Sequence, residues 1–137
     1  MWKEWFTSDE SSGLVKAAYE DFAGMLRQSA RMLDAAVAYL FDGVAPAENL
    51  DTMDDAVDEG ERMIRRTVLQ HLSINPKQDL VATLLLLSMV QDAERLGDFA
   101  RGLAELRPLA RSPVEGPFAG ELRGITTRGR ASFDDCE

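Results

Sequence analysis

The amino-acid sequence predicts an all-α protein: an antiparallel three-helix bundle followed by a C-terminal linker and a partial extra helix. Apolar residues recur at three- and four-residue spacing through three long segments, as they do on the buried face of a helix. No segment shows the two-residue alternation of a half-buried strand. The connections near residues 42–46 and 73–76 are short, and short connections place consecutive helices side by side and antiparallel.

The three predicted helices have recognisable ends. The first is predicted over residues 12–41 and is ended by Gly43, since glycine favours the position just after a helix. The second is predicted over 46–72 and begins with a proline, which suits the first helical position. The third is predicted over 76–107, with Asn75 as its N-cap and a proline directly after its last residue.

The predicted bundle therefore has a segment on each side of it. Residues 1–11 form an N-terminal aromatic segment, and residues 12–107 form the bundle. Residues 108–137 combine a linker containing prolines and glycines with an incomplete amphipathic helix, whose intrinsic helix propensity is weakened by three glycines. The apolar residues that indicate this helix are Leu122, Ile125 and Phe133.

Composition limits the classes of partner. The net charge is -9, whereas nucleic-acid binding needs a basic face, so we expect no nucleic-acid partner. The chain has neither an apolar run of about 18 residues nor a signal-peptide pattern, so we expect no membrane span and a cytoplasmic protein. Cys136 is the single cysteine and His71 the single histidine, which excludes an intrachain disulfide and a Cys/His zinc site.

Two pairs of acidic residues carry the functional prediction. Asp54 and Asp58 form one pair and Glu94 and Asp98 the other, and residues four apart share one face of a helix. Each pair points away from the apolar side of its own helix, so we expect both pairs on outer faces. The pairs lie equally far from the turn at 75–76, and such residues lie side by side in an antiparallel hairpin. The four carboxylates are therefore predicted to meet at one level.

The residues alone leave two interpretations of this patch open, with Asp51 and Glu61 as possible extensions of it. The chain has 24 acidic residues, so a single pair at this spacing would indicate no more than a solvated helix face. Four clustered carboxylates repel one another unless a cation offsets their charge. Iron(III), manganese, magnesium or calcium would suit oxygen ligands, and zinc also accepts them. The alternative is a solvated patch whose charge is offset by Arg62, Arg65 and Arg95.

The sequence does not predict an enzyme. Di-iron bundle enzymes use Glu-x-x-His ligands in the bundle interior, and the chain contains no such motif. No serine or cysteine is placed with a histidine and an orienting acid for nucleophilic catalysis. Two alternatives to a non-enzymatic metal-binding protein remain: a metal-independent helical interaction module that binds basic partner surfaces, and a carboxylate di-metal hydrolase.

One long stretch resembles the PhoU family, regulators of phosphate uptake in bacteria and archaea. The stretch is "RMIRRTVLQHLSINPKQDLVATLLLLSMVQDAERLGDFARGLAEL". Within it, "DAERLGD" is similar to the family's Glu-Arg-Ile/Leu-Gly-Asp box, and "DDAVDEGE" before it is similar to the acidic segment of the preceding helix. The resemblance covers about residues 12–107 and implies one three-helix repeat.

The resemblance also implies a function. Its acid-x-x-x-acid motifs imply metal binding at Asp54, Asp58, Glu94 and Asp98, by an ion or cluster of iron first, with manganese, zinc or magnesium as alternatives. It implies a regulator without catalysis, whose partners are a phosphate transporter component and a sensor histidine kinase.

Typical members of this family have two repeats in one chain, whereas this chain has one repeat and the start of another. We therefore expect either a truncated form or a single repeat that forms a homodimer. The aromatic residues ahead of the first helix give a possible partner contact, although such residues also fold back over a bundle core. They are Trp2, Trp5 and Phe6.

Overall fold

The computed structural model describes residues 13–110, 114–117 and 119–134, and it confirms the all-α prediction. The described residues form four α-helices: α1 (Gly13–Asp42), α2 (Leu50–Ile74), α3 (Leu80–Glu105) and α4 (Ala119–Asp134). A short 3-10 helix, Arg107–Leu109, follows α3. The described residues contain no strand, and none of their helices is long and apolar enough to cross a membrane.

The core of the molecule lies between α1, α2 and α3, and α1 packs against both of the others. Its buried side chains follow the predicted apolar periodicity, and full burial of one large aliphatic side chain contributes roughly 1.5–3 kcal/mol. α4 lies on the C-terminal half of α1. The largest fully buried apolar side chains of the core are Met32, Ile64, Leu86, Val57, Val68 and Val90.

The end of α1 agrees with the sequence prediction. Gly43 has a φ of 70°, in the left-handed region that glycine occupies without a steric penalty. Its N–H donates to the carbonyl oxygen of Tyr39, and the N–H of Val44 donates to that of Ala38. These bonds satisfy carbonyl groups that the helix end would otherwise leave without a donor.

The start of α2 was predicted too early. The helix begins at Leu50 rather than at Pro46, and Asn49 is its N-cap. Asn49 Oδ1 accepts a hydrogen bond from the backbone N–H of Asp51 at 2.8 Å and lies 3.4 Å from that of Thr52. An asparagine cap satisfies N–H groups that have no partner within the helix, which a proline at the helix start does not do.

The start of α3 was also predicted too early, and Asn75 is not its N-cap. Asn75 instead ends α2, where its N–H donates to the carbonyl oxygen of His71, and residues 76–79 form a turn. His71 is buried, its Nε2 lies 3.1 Å from the carbonyl oxygen of Gln78, and the Asp79 carboxylate lies 3.5 Å away. Asp79 has a φ of 57°, so α3 begins only after it.

The C-terminal helix is held to α1 by two ion pairs between the helices. Arg123 lies 2.6 Å from Asp42, and Arg130 lies 2.9 Å from Asp34. The guanidinium of Arg123 also lies over the ring of Phe41, 4.9 Å from its centre, in a cation–π contact. The predicted partial helix therefore forms, and it runs antiparallel to α1.

Candidate metal-binding carboxylate cluster

The two predicted acid pairs lie where α2 and α3 approach each other closely. Gly97 is buried, and a Cβ atom placed on it would lie 3.3 Å from Asp54 Oδ1 and 3.6 Å from a methyl carbon of Val57. A side chain at this position would therefore crowd α2. The absence of one lets the backbone of α3 lie directly against the Asp54 carboxylate.

A buried serine fixes the position of α3 against α1 just before the second acid pair. Ser29 Oγ lies 2.9 Å from the carbonyl oxygen of Ala93 and 3.2 Å from that of Met25 in its own helix. Ser29 is fully buried, so this hydroxyl has no water to replace the bond. Hydrogen bonds of this kind contribute about 1 kcal/mol and define how one helix sits on another.

Asp54, Asp58, Glu94 and Asp98 are named the carboxylate cluster below. The negative charges of Asp98 and Asp58 raise the pKa of both Asp54 and Glu94. The structure thus places all four acids near one another across α2 and α3. Their assignment as metal ligands stays a prediction.

The sequence placed Asp54 on an outer face, and the structure corrects this. Asp54 is 6% exposed, because α3 covers it at Gly97. The angular position of a residue shows how it points relative to its own helix, and it does not show which neighbouring helix will cover it. Burial raises the pKa of the Asp54 carboxyl, and the nearby acids Asp98 and Asp58 raise it further.

Arg101 supplies the positive charge opposite Asp54. Its Nη1 lies 2.8 Å from Asp54 Oδ2, and its Nη2 lies 3.3 Å from Asp98 Oδ1. One guanidinium therefore bridges a buried carboxylate of α2 and an exposed carboxylate of α3. The charge of Arg101 lowers the pKa of Asp54, but burial has the larger effect, so the pKa of Asp54 stays above its usual value.

Glu94 is half-buried beside the same group of charges. Burial raises its pKa, the charges of Asp98 and Glu61 raise it further, and a hydrogen bond with Asp98 acts in the same direction. Ionised Glu94 is thus repelled by negative charges on both α2 and α3. A cation placed among these groups would remove that repulsion.

The remaining acids differ in how they relate to the cluster. Glu61 is half-buried, and its carboxylate is paired with Arg65 at 2.7 Å, within α2. Asp51 is exposed in the first turn of α2, where its negative charge interacts favourably with the helix dipole. Glu61 therefore belongs to the edge of the acidic patch, whereas Asp51 has a local role in starting the helix.

Two of the three arginines suggested as counter-charges form pairs elsewhere, within their own helices. Arg95 lies 3.9 Å from Asp92, and Arg65 pairs with Glu61. Arg62 lies 3.9 Å from Asp58 but closer, 3.1 Å, to Glu59. The counter-charge between α2 and α3 is instead Arg101. Its sequence position gave a signal, because residue 101 shares a helix face with Glu94 and Asp98.

The carboxylate oxygens are of the right type for a hard cation, but they are not gathered around a single point. Among the residues that the structure describes, no three Asp, Glu, His or Cys side chains are grouped closely enough to hold a metal ion. Arg101 accounts for part of this spacing, because its guanidinium holds oxygens of Asp54 and Asp98 apart.

An apolar groove lies on the other side of α3. It has a volume of about 610 Å³ and runs between α1, α3 and α4. Phe99 and Ile125 are 59% and 57% exposed there, so the groove is open to solvent. The residues predicted to contact a partner, Trp2, Trp5 and Phe6, lie outside the described residues.

The chain matches a known protein-family model. The model of the PhoU domain matches residues 22–106, which is more than half of the chain and includes all of α2 and α3. The carboxylate cluster lies within the matched region. No curated protein and no solved structure matches the chain.

Proposed function

This chain belongs to the PhoU domain family, and we propose that it regulates phosphate uptake by binding metal through its carboxylate cluster. A PhoU domain implies a regulator of phosphate uptake, and the family consists of non-enzymatic regulators. The hydrolase alternative is therefore dropped. The observation that supports the metal proposal is that the negative charges of Asp58 and Asp98 act on both Asp54 and Glu94, across α2 and α3.

The chemistry of the donors fits a hard metal ion. All four side chains offer carboxylate oxygens, which suit iron(III), manganese or magnesium, and zinc also accepts them. The raised pKa of Asp54 and of Glu94 shows that these groups hold negative charge at a cost when no cation is bound. A bound ion would supply the missing positive charge, and iron is our first choice.

The proposed ligands lie on two different helices, so a bound metal ion would connect these helices. Asp54 and Asp58 come from the first half of α2, and Glu94 and Asp98 from the second half of α3. Ligands from both helices would tie α2 to α3 in addition to their packing. Metal binding then stabilises the folded bundle by mass action, because the unfolded chain offers no such site.

The partners proposed for this regulator are a phosphate transporter component and a sensor histidine kinase, in the cytoplasm. The apolar groove between α1, α3 and α4 supports a protein partner, because open apolar surfaces of this kind mark interaction sites. Formation of a homodimer through exposed apolar residues is part of the same proposal.

Elemental analysis tests the metal proposal. The full chain is purified without affinity tags or chelators, and its metal content is measured before and after incubation with iron, manganese and zinc. We expect at least one tightly bound ion per chain, and we expect Glu94→Gln with Asp98→Asn to lose it while the bundle stays folded. Equal metal content in this double variant would show that the site is assigned to the wrong residues.

A matched control uses acids on another surface. Glu20→Gln with Asp21→Asn makes the same two chemical changes at exposed positions of α1. This variant keeps its metal if the carboxylate cluster is the site. If the wild-type protein takes up no ion under any of these conditions, the metal proposal is wrong.

One observation favours a second candidate function, in which the acidic patch binds a basic protein surface without metal. Arg101 already shows how a guanidinium fits between Asp54 and Asp98. Binding of a partner that persists in chelator but is lost above about 0.3 M salt would favour this candidate, because salt screens exposed charges. Binding that needs metal would exclude it.

A further inference from the structure

One face of α3 carries a row of exposed residues along the whole length of the helix. The row has the alternating four- and three-residue spacing of a helix face that packs against another helix. Its large apolar members are between 45% and 61% exposed, so the described helices leave this face largely uncovered. We name this row the α3 seam, and its residues are Val81, Leu85, Ser88, Asp92, Arg95, Phe99, Gly102 and Leu106.

The two charged residues at the centre of the α3 seam favour one orientation of a second helix. Asp92 and Arg95 lie 3.9 Å apart within α3, and their side chains are 75% and 73% exposed, so both are free to turn towards another helix. In a parallel pair of α3 helices each charge would meet its own kind and repel it. In an antiparallel pair, Asp92 of each copy lies opposite Arg95 of the other. The charges therefore favour two antiparallel copies joined by two salt bridges.

The charges also select the register of this antiparallel pair. A shift by one heptad would place Asp92 opposite Ser88 and Arg95 opposite Leu85, and both salt bridges would be lost. Polar residues within an apolar seam commonly fix register in this way.

The other positions of the α3 seam fit the same register. Val81 lies opposite Leu106, which directly follows α3 and keeps a helical backbone, so an apolar pair lies at each end of the interface. Between the ends and the centre, a large side chain meets a small one, which lets two helices approach closely. These layers are Leu85 opposite Gly102 and Phe99 opposite Ser88.

The α3 seam is continuous with the apolar groove between α1, α3 and α4. Phe99 and Leu106 belong to both the seam and the groove, and Ile125 of α4 is exposed on the opposite side of the groove. A helix that lies on the seam would therefore contact α4 as well as α3. Such a helix covers more apolar surface than α3 alone offers, and burial of that surface favours association.

We propose that a second copy of this chain docks on α3 in antiparallel orientation, with Asp92 of each copy paired to Arg95 of the other. The same residues then contribute from both copies, as in other interfaces with two-fold symmetry. This inference rests on the homodimer of the proposed function, and it adds the surface, the orientation and the contacts.

The proposed dimer is a weak one. A single helix pair with its flanking contacts lies at the small end of stable interfaces, and the net charge of -9 on each chain opposes association. We expect a dissociation constant in the micromolar range. Well below that concentration the chain is a monomer, and the effect of a substitution in α3 on folding is then measured on the monomer alone.

Two charge reversals test the interface. Arg95→Asp places acids opposite acids at the centre of the dimer, and Asp92→Arg places arginines opposite arginines. We expect each variant alone to dimerise at least about tenfold more weakly than wild type, because both salt bridges become repulsions. An equal mixture of the two variants should dimerise again, since position 92 of each chain then meets the opposite charge at position 95 of the other. Sedimentation velocity of the full chain at low salt, over a range of protein concentrations, measures each dissociation constant.

Matched controls make the same reversals on other helices. Arg66→Asp on α2 and Asp21→Arg on α1 change exposed residues by the same charge as the two seam variants. We expect each of these controls to dimerise within about twofold of wild type, because isolated surface charges contribute little. Circular dichroism checks that every variant is folded, and recovery of the dimer in the mixture shows independently that both seam variants are.

The outcomes separate this inference from the function on which it rests. Weak dimerisation of each seam variant alone, with recovery in the mixture, supports it. If wild type dimerises but either seam variant alone does so equally well, or the mixture stays monomeric, the α3 seam is not the interface, although the homodimer itself stands. If wild type is a monomer at every concentration, the homodimer and this inference both fail, and something other than a second copy covers the seam.

Discussion

Gly97 shows how much depends on a single residue in this protein. Its missing side chain lets α3 approach Asp54 and Val57 of α2 and Met32 of α1. In a helix interior, glycine costs about 1 kcal/mol relative to alanine, so its presence needs a reason in the packing. The close approach of three helices gives that reason. Gly97 is thus a packing residue within the "ERLGD" segment, beside the acids whose side chains form the cluster.

We predict that Gly97→Val destabilises the protein by about 1–3 kcal/mol, the usual cost of overfilling a packed core. Its Cβ would already lie 3.3 Å from Asp54 Oδ1, and the two methyl groups of valine add to the crowding. The free energy of unfolding is measured by chemical denaturation.

Gly102→Val is the matched control for this prediction. It makes the same change in the same helix, but a Cβ at Gly102 would have no atom within 4 Å apart from its chain neighbours and the nearby backbone of its own helix. We expect this control to stay within about 0.5 kcal/mol of wild type, as surface substitutions usually do. Equal destabilisation by the two substitutions would show that Gly97 has no special packing role.

At the residue scale, the sequence predicted which charged residues share a helix face, but it did not predict which parts of the neighbouring helix cover them. Helical spacing is sufficient to put Glu94, Asp98 and Arg101 on one face, because it depends on a single helix. The burial of Asp54 and the close contact at Gly97 depend on the distance between two helices, which no local pattern contains. The sequence therefore identified the charged groups and missed the reason why one of them is buried.

At the scale of helices, the sequence predicted the middle of each helix but not the residues at which α2 and α3 begin. The bodies of α1, α2 and α3 follow the apolar periodicity, because the core selects apolar residues over many turns. The starts of α2 and α3 depend instead on a few contacts. Buried His71 meets the turn at Gln78 and Asp79, and this tertiary contact outweighs the capping pattern around Asn75.

The attachment of α4 gives a prediction at this scale. Its ion pairs, Arg123 with Asp42 and Arg130 with Asp34, are exposed, so each contributes little to the stability of the folded chain. We expect Arg123→Gln with Arg130→Gln to increase hydrogen exchange in residues 119–134, while residues 50–105 stay as protected as in wild type. Mass spectrometry of the exchanged peptides measures this difference.

The control for the α4 prediction removes two positive charges elsewhere. Arg66→Gln with Arg95→Gln changes exposed residues of α2 and α3 by the same total charge. We expect no increase in exchange over residues 119–134 in this variant. If α4 exchanges equally in wild type and in the α4 variant, apolar contacts alone hold it in place.

At the scale of the whole molecule, the carboxylate cluster is the place where the acidic composition of the chain affects the folded state. The net charge of -9 favours solubility, but it also means that any compact arrangement brings negative charges together. Among the residues that the structure describes, most of the acidic side chains are exposed, where water screens their charge. In the carboxylate cluster, burial and neighbouring acids both raise the pKa of Asp54 and of Glu94, so we expect the stability of the bundle to depend on pH.

The metal-free protein should therefore become less stable as pH rises through the titration of these groups. The folded-state pKa values of Asp54 and Glu94 are raised above 3.8 and 4.5, so the folded state holds these protons more tightly than the unfolded state. The stability gained by protonation is complete below those values and is lost as pH rises through the raised pKa values.

Glu94→Gln removes one such group. In chelator, we therefore expect this variant to have a higher free energy of unfolding than wild type at pH 7, by less than about 1 kcal/mol, and to lose this advantage below about pH 4. Urea denaturation at both pH values measures the difference, with Glu20→Gln as the control for the general loss of one charge, and a Glu94→Gln variant less stable than wild type at pH 7 would contradict the prediction.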